Sequence, residues 1–255
     1  MPQTSAPDPA SEPSPQHYRR PLSFVRRSNQ LKPSYQRAWD AALGRELLDV
    51  PAGSRDTSVA EGFTIDWQEE FGRSHSVDSG GSLTVEIGSG SGEAVAAAAA
   101  ANPHRDFIAA EVYRPGAAQL AARVRREGLT NVRVACLDAV ELLDNLIPTA
   151  YLDELWIFFP DPWHKKKHNK RRLIQPSFTA KAARAMRPEG RIRLATDWPH
   201  YAVQIRRVLT ESPDFANEHA GWAPRFAGRV LTDFEAKAGA AGRKSFDLTF
   251  TRVCV

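Results

Sequence analysis

From Leu83 onward the chain alternates short apolar runs of strand character with longer stretches of helical period, and this alternation restricts the fold more than any other feature. "LTVEIG" reads as a strand, and "GEAVAAAAAAN" reads as an alanine-rich helix that stops before Pro103. "DFIAAEV", "NVRVACLD", "LDELWIFFP" and "RIRLATD" read as the next four strands. Helices are expected over "PGAAQLAARVRREG", from about Pro176 to Met186, and over "HYAVQIRRVLTES". "KSFDLTFTRV" closes the series as a strand with alternating apolar residues. Such an order predicts an α/β fold with a mostly parallel sheet and helices on both faces. Ligands of such folds sit just past the carboxyl ends of the strands, so the strand ends become the candidate site.

The rest of the chain adds limits. Residues 1–22 are rich in Pro and Ser and too poor in apolar surface to offset ordering, which predicts a disordered tail. Residues 23–57 read as a basic arm leading into a helix that starts near Ser34, and 58–255 as the folded domain. Arg19, Arg20, Arg26 and Arg27 either contact an anionic partner or are simply solvated. Two distant cysteines, Cys136 and Cys254, exclude a disulfide scaffold, and no metal-ligand spacing is present. No apolar run reaches the length of a membrane span and no signal peptide precedes the domain, so the expected location is the cytoplasm. The sequence does not reveal the oligomeric state.

"VEIGSGSGE" ends the first strand with Gly88, Gly90 and Gly92 opening a helix. Glycines there permit positive φ and close backbone approach to a ligand; a purely structural tight turn is the alternative. A dinucleotide loop needs a small residue at position 93, where this chain has Glu93, whose charge would repel a pyrophosphate. Glu86 lies in the first strand, Glu111 ends the second and Asp138 ends the third. A strand-end carboxylate can accept both hydroxyls of a ribose. Three acids on three successive strands suit a cationic nucleoside such as S-adenosylmethionine better than any phosphate ligand.

The fourth strand runs into "PDPWHKKKHNKRR". Asp161 is held between Pro160 and Pro162, which fix φ on either side of the carboxylate. Trp163 either stacks on a base or packs under the loop. Six of the nine residues from His164 to Arg172 are Lys or Arg, on a chain whose net charge is only +4. A local cationic block beside a strand-end carboxylate points to a polyanion, here a nucleic acid.

With "FFPDPWHKKKHNKRRL", "VEIGSGSGE", "AAEVYRPG", "LATDWPHYA" and "LTDFE", the chain resembles the bacterial tRNA (guanine-N7)-methyltransferases from "SFVRR" to the final strand. The resemblance implies a Rossmann-like class I methyltransferase fold with an antiparallel C-terminal strand. It also implies transfer of a methyl group from S-adenosylmethionine to N7 of a guanosine in the tRNA variable loop. Cofactor binding would fall to Glu86, Glu111, Asp138 and Asp161, beside the turn glycines Gly88 and Gly90, with Asp161 also catalytic. Lys165, Asp197, Thr232, Asp233, Phe234 and Glu235 match substrate-binding positions. Lys167, His168, Asn169, Lys170, Arg171 and Arg172 match an RNA-contacting stretch. Tyr113, where many relatives carry His, and residues 236–245, poorer in Gly and His, depart from the family pattern.

The chemistry agrees. N7 of guanine carries no proton and can attack a sulfonium methyl directly, so alignment is the task and no metal or covalent nucleophile is required. Carboxylates at adjacent strand ends, Asp161 and Asp197, can accept from N1–H and the 2-amino group of guanine. A structured tRNA shields its bases, so the target guanosine is expected to leave its stack. Two other readings remain open: a different methyltransferase on the same fold, which leaves the cationic block without a role, and an RNA-binding module with a vestigial cofactor site.

Overall fold

A computed structural model describes residues 30–75 and 81–253. The expected tail, the four arginines of the arm and Cys254 lie outside the described residues.

In chain order the elements are α1 (Pro33–Ala42), α2 (Trp67–Phe71), β1 (Ser82–Ile87), α3 (Glu93–Ala101), β2 (Arg105–Ala110), α4 (Arg114–Arg126), β3 (Val132–Ala135) and α5 (Ala139–Glu141). They continue with β4 (Leu152–Phe158), α6 (Pro176–Ala185), β5 (Met186–Thr196), α7 (Pro199–Thr210), β6 (Phe215–Asn217), α8 (Asp233–Ala240) and β7 (Phe246–Arg252). Proline occupies the first turn of α1, α4, α6 and α7, where its missing N–H costs nothing and its fixed φ suits the helix.

The strands form one sheet in the order β3-β2-β1-β4-β5-β7-β6. β1 to β5 pair in parallel, and β7 runs antiparallel to both β5 and β6. The chain winds outward from β1 through β2 to β3, then returns to start again at β4 on the other side of β1. That reversal opens a crevice between the carboxyl ends of β1 and β4, the position where open α/β sheets hold ligands. Both faces are covered. On one, Leu83, Val85, Ile108, Leu155, Ile157 and Ile192 pack with Phe178 of α6 and Tyr201 and Ile205 of α7. On the other, Phe107, Ala109 and Trp156 pack with Val95 of α3 and Leu120 and Val124 of α4. Gly92 marks how closely α3 meets α4: a Cβ there would lie 1.9 Å from Leu120 Cδ1.

The boundary expected near residue 57 does not coincide with a break in packing. Leu47 is fully buried and Leu48 nearly so, and backbone hydrogen bonds tie Glu46 and Leu48 to Val134 and Thr57 to Asp138. Residues 43–60 thus cover the exposed edge of β3, whose free N–H and C=O groups need partners. α2, α5, β6 and α8 were not expected from the pattern. They are short, and α8 ("DFEAKAGA") presents no clear apolar stripe.

Candidate cofactor and substrate cleft

Gly88 and Gly90, with φ of +76° and +55°, turn the chain from β1 toward α3. Glu111, just past β2, fastens this turn: Oε2 accepts from Gly90 N–H at 2.8 Å and Oε1 from Tyr113 N–H at 2.8 Å. Burial pushes its carboxyl up, the backbone hydrogen bonds pull it down, and the charge of Asp161 adds a further upward push. Glu86 has fewer partners. It is 4% exposed, its Oε2 accepts no hydrogen bond, and burial above all pushes its pKa up to about 7, with the charge of Glu111 contributing. Glu86, Glu111 and Asp161 therefore share one electrostatic neighbourhood. Asp138 is placed differently: its buried side chain caps α5 by accepting from Val140 N–H at 2.8 Å. Cys136, next after β3, is a half-buried thiol that feels the charge of Glu111.

The loop after β4 is held in an unusual shape. Phe159 and Trp163 adopt φ of +51° and +44°, a left-handed conformation that costs a non-glycine residue roughly 1–3 kcal/mol. Asp161 lies exposed between them. The restraint comes from Arg172, expected to contact RNA but turned inward and only 1% exposed. Its Nε donates to Pro162 O at 2.7 Å, its Nη1 donates to Gln204 Oε1 at 2.6 Å and lies 3.0 Å from His200 Nδ1, and its guanidinium sits 4.8 Å from the Tyr201 ring centre. The Pro162 carbonyl, just ahead of the left-handed Trp163, has no ladder partner in this loop, and Arg172 supplies its donor. Trp163 packs rather than stacks on solvent: it is 7% exposed, with Arg171 over its ring at 5.1 Å and His168 edge-on at 5.8 Å. His168, Asn169 and Arg171 are half-buried, which leaves Lys165, Lys166, Lys167 and Lys170 as the exposed cations.

α8 closes the crevice from the other side. Between it and the glycine turn lies a cleft of about 460 Å³ whose lining includes Glu86, Gly88, Gly90, Phe159, Asp233 and Phe234. Thr232 caps α8 by accepting from Glu235 N–H at 3.2 Å, and Glu93 Oε2 accepts from Asp233 N–H at 2.8 Å across the cleft. Phe234 is half exposed and packs on Phe159 with ring centres 5.2 Å apart. Glu235, expected to bind substrate, is 7% exposed and faces Arg225 and Arg229; burial favours its neutral form, but hydrogen bonds from both arginines hold its carboxyl below the ordinary range. Arg229 carried no signal in the sequence. It is 1% exposed, donates to both oxygens of Asp247 at 2.8 and 3.0 Å, and lies over Phe159 at 5.2 Å. Asp197, just past β5, is 8% exposed with Arg243 Nη1 2.9 Å from its Oδ2.

A buried carboxylate with an unspent acceptor and acidic neighbours fits a ligand that is cationic and rich in hydroxyls, as S-adenosylmethionine is. Among the described residues, no group of three or more His, Cys, Asp or Glu side chains is placed to hold a metal ion, and no helix is long and apolar enough to cross a membrane.

Two solved structures share this sheet and its flanking helices. The 16S rRNA methyltransferase KamB aligns with a TM-score of 0.56 at 18% identity, over 80% of this chain and 99% of its own. TrmN from Thermus thermophilus aligns at 0.50 and 20% identity, over 68% of this chain and 44% of its own. The fold is that of the Rossmann-like methyltransferases. A family model described as "Putative methyltransferase" matches residues 81–248. Tighter matches come from the tRNA (guanine-N(7)-)-methyltransferases of Paenarthrobacter aurescens, 41% identical over 91% of this chain and 92% of the relative, and of Cutibacterium acnes, 44% identical over 91% and 83%. The chain belongs to the tRNA (guanine-N7)-methyltransferase family.

Proposed function

We propose that the protein is a cytoplasmic enzyme that methylates N7 of a guanosine in the variable loop of tRNA with S-adenosylmethionine as donor. The observation that carries this reading is Glu86: a buried acid with a free acceptor, in a neighbourhood shared with Glu111 and Asp161, beside a loop that ends in exposed lysines.

When bound, S-adenosylmethionine supplies an electrophilic methyl group on a sulfonium. Glu86 ionises to pair with the ammonium of the donor. Glu111 keeps lone pairs for the ribose hydroxyls beyond those engaged by Gly90 and Tyr113, and Asp138 bounds the adenine end. Asp161 and Asp197 accept from the Watson–Crick edge of guanine, which fixes the ring so that N7 faces the methyl group. Since N7 bears no proton, neither acid acts as a base before attack, and the rate gain comes from orientation and from negative charge near the reacting centre. Phe159 and Phe234 offer an aromatic wall to the unstacked base, with Lys165, Thr232 and Asp233 around it. Lys167 and Lys170 engage tRNA phosphates.

The test is mass spectrometry of tRNA nucleosides after incubation with labelled S-adenosylmethionine. Labelled 7-methylguanosine is expected from guanosine tRNA, and none from tRNA carrying 7-deazaguanine at the target, which should still bind. Asp161→Asn, which swaps acceptors for donors, should lower the single-turnover rate by roughly 10²-fold or more. Label on any other nucleoside, or a near-normal rate in that variant, overturns the reading.

A further inference from the structure

Two ion pairs join the segment around α8 to the sheet, and they are built for different purposes. Arg229 is 1% exposed and binds Asp247 through two hydrogen bonds, on the residue of β7 that pairs with Ala195 of β5. Two residues beyond Ala195, Asp197 meets Arg243, whose side chain is 46% exposed. Here the guanidinium lies 2.9 Å from Oδ2, yet this buried oxygen accepts no hydrogen bond. The backbone of Arg243 is pinned, its N–H donating to Ala238 O at 3.0 Å, while the guanidinium reaches toward solvent. The first pair is a permanent tie. The second is charge neutralisation without a committed hydrogen bond.

We infer that Asp197 and Arg243 form a nucleotide clamp that exchanges partners when RNA binds, with Asp197 taking the donor edge of the target guanine and Arg243 taking a phosphate of the same strand. The inference rests on the function proposed above and adds a phosphate-binding residue to it. A guanosine nucleotide carries donors on its Watson–Crick edge and an anion on its backbone, so its two ends match the two signs of this pair. A planar guanidinium can grip a phosphate with two parallel hydrogen bonds, which the partly exposed Arg243 is free to turn toward. Exchange keeps both charges paired only when the incoming base offers donors to Asp197. A base that lacks them separates the pair and leaves a buried carboxylate unsatisfied, which disfavours it. Selection of the base therefore stays with Asp197, and Arg243 adds affinity through the phosphate.

The experiment compares Arg243→Gln and Arg243→Lys with the unaltered protein, using tRNA that carries guanosine or inosine at the target. Arg243→Gln should reduce the log–log salt slope of tRNA binding by roughly 0.7–0.9, the share of one phosphate contact. It should leave the preference for guanosine over inosine, which lacks the 2-amino donor, in place, because Asp197 still reads the base. Arg243→Lys should retain the slope, because one cation still meets the phosphate. An unchanged slope in Arg243→Gln would reduce the pair to a static tie and overturn the inference. Absence of 7-methylguanosine with the unaltered protein would instead refute the proposed function itself, so the two failures are distinguishable.

Discussion

Glu86 and Glu154 sit on neighbouring strands of one sheet, 4% and 6% exposed, and their carboxyls are displaced in opposite directions. Burial acts first on both and favours the neutral form. In Glu154 the effect is overcome: Arg193 Nε donates at 2.9 Å and Trp156 Nε1 at 2.6 Å, with Arg105 adding an ion pair at 3.4 Å. Its carboxyl lies below the ordinary range. Glu86 has a free Oε2 and another acid close by, and its pKa stands near 7. Glu154 has its partners supplied by the chain, whereas Glu86, which we propose serves a ligand, keeps part of its coordination open. Unequal satisfaction, rather than burial, separates the two regions.

The largest test of this contrast is Glu154→Ala. Removing one member of a buried ion-paired set should lower folding stability by roughly 3–5 kcal/mol in a denaturant titration, with no change in S-adenosylmethionine affinity of the folded protein. Unaltered stability would erase the distinction from the structural side. Glu111→Ala should do the converse and weaken S-adenosylmethionine binding by roughly 1.5–3 kcal/mol in calorimetry. Full affinity in that variant would mean that the ribose is held by another group.

Glu86 sharpens the comparison through pH. In the free protein it is mostly protonated below pH 7, whereas pairing with an ammonium requires the ionised form. Ligand affinity should therefore rise with pH up to about 7, by roughly 1.4 kcal/mol per unit at most, and level off above. Folding stability of the free protein responds in the other sense: the contribution of a raised carboxyl is complete below 4.5 and is lost as pH rises through about 7. Glu86→Gln should flatten both profiles, and a pH-independent affinity in the unaltered protein would show that Glu86 meets no cation.

The smallest effect separates two kinds of cation within the basic block. Changing Lys167 and Lys170 together to Gln should reduce the log–log salt slope of tRNA binding by about 0.9 for each duplex phosphate that the pair neutralises. Arg172→Gln should leave the slope intact and lower the melting temperature, because its guanidinium faces Pro162 and Gln204. A slope change in Arg172→Gln would place that side chain back on the RNA surface.

The sheet was legible in the sequence because its strands and helices differ in period, and the crevice was placed by the rule that such folds hold ligands past the carboxyl ends of their strands. Asp161 stands out in the sequence for a related reason: it lies at a strand end between two prolines that restrict its backbone. What escaped notice depends on contacts between residues remote in sequence. The inward turn of Arg172 is decided by Gln204 and His200 on α7, and nothing in "NKRRL" distinguishes it from its exposed neighbours. The engagement of Glu235 by Arg225 and Arg229, and the use of Arg229 against Asp247, arise from the fold of a segment without clear periodicity. α8 itself is set by a Thr232 cap and by Glu93, 140 residues earlier in the chain.

Cys136 gives the acidic crevice a second consequence. A sulfonium methyl donor is an alkylating agent, and a thiolate is the most reactive nucleophile that this chain could offer it. Burial first, and then the negative charge of Glu111, push the Cys136 thiol up to about 12, against a smaller pull from Arg114. If Glu111 holds the donor's ribose as proposed, its charge also acts, after burial, to keep the neighbouring sulfur protonated and so a poor nucleophile toward that donor.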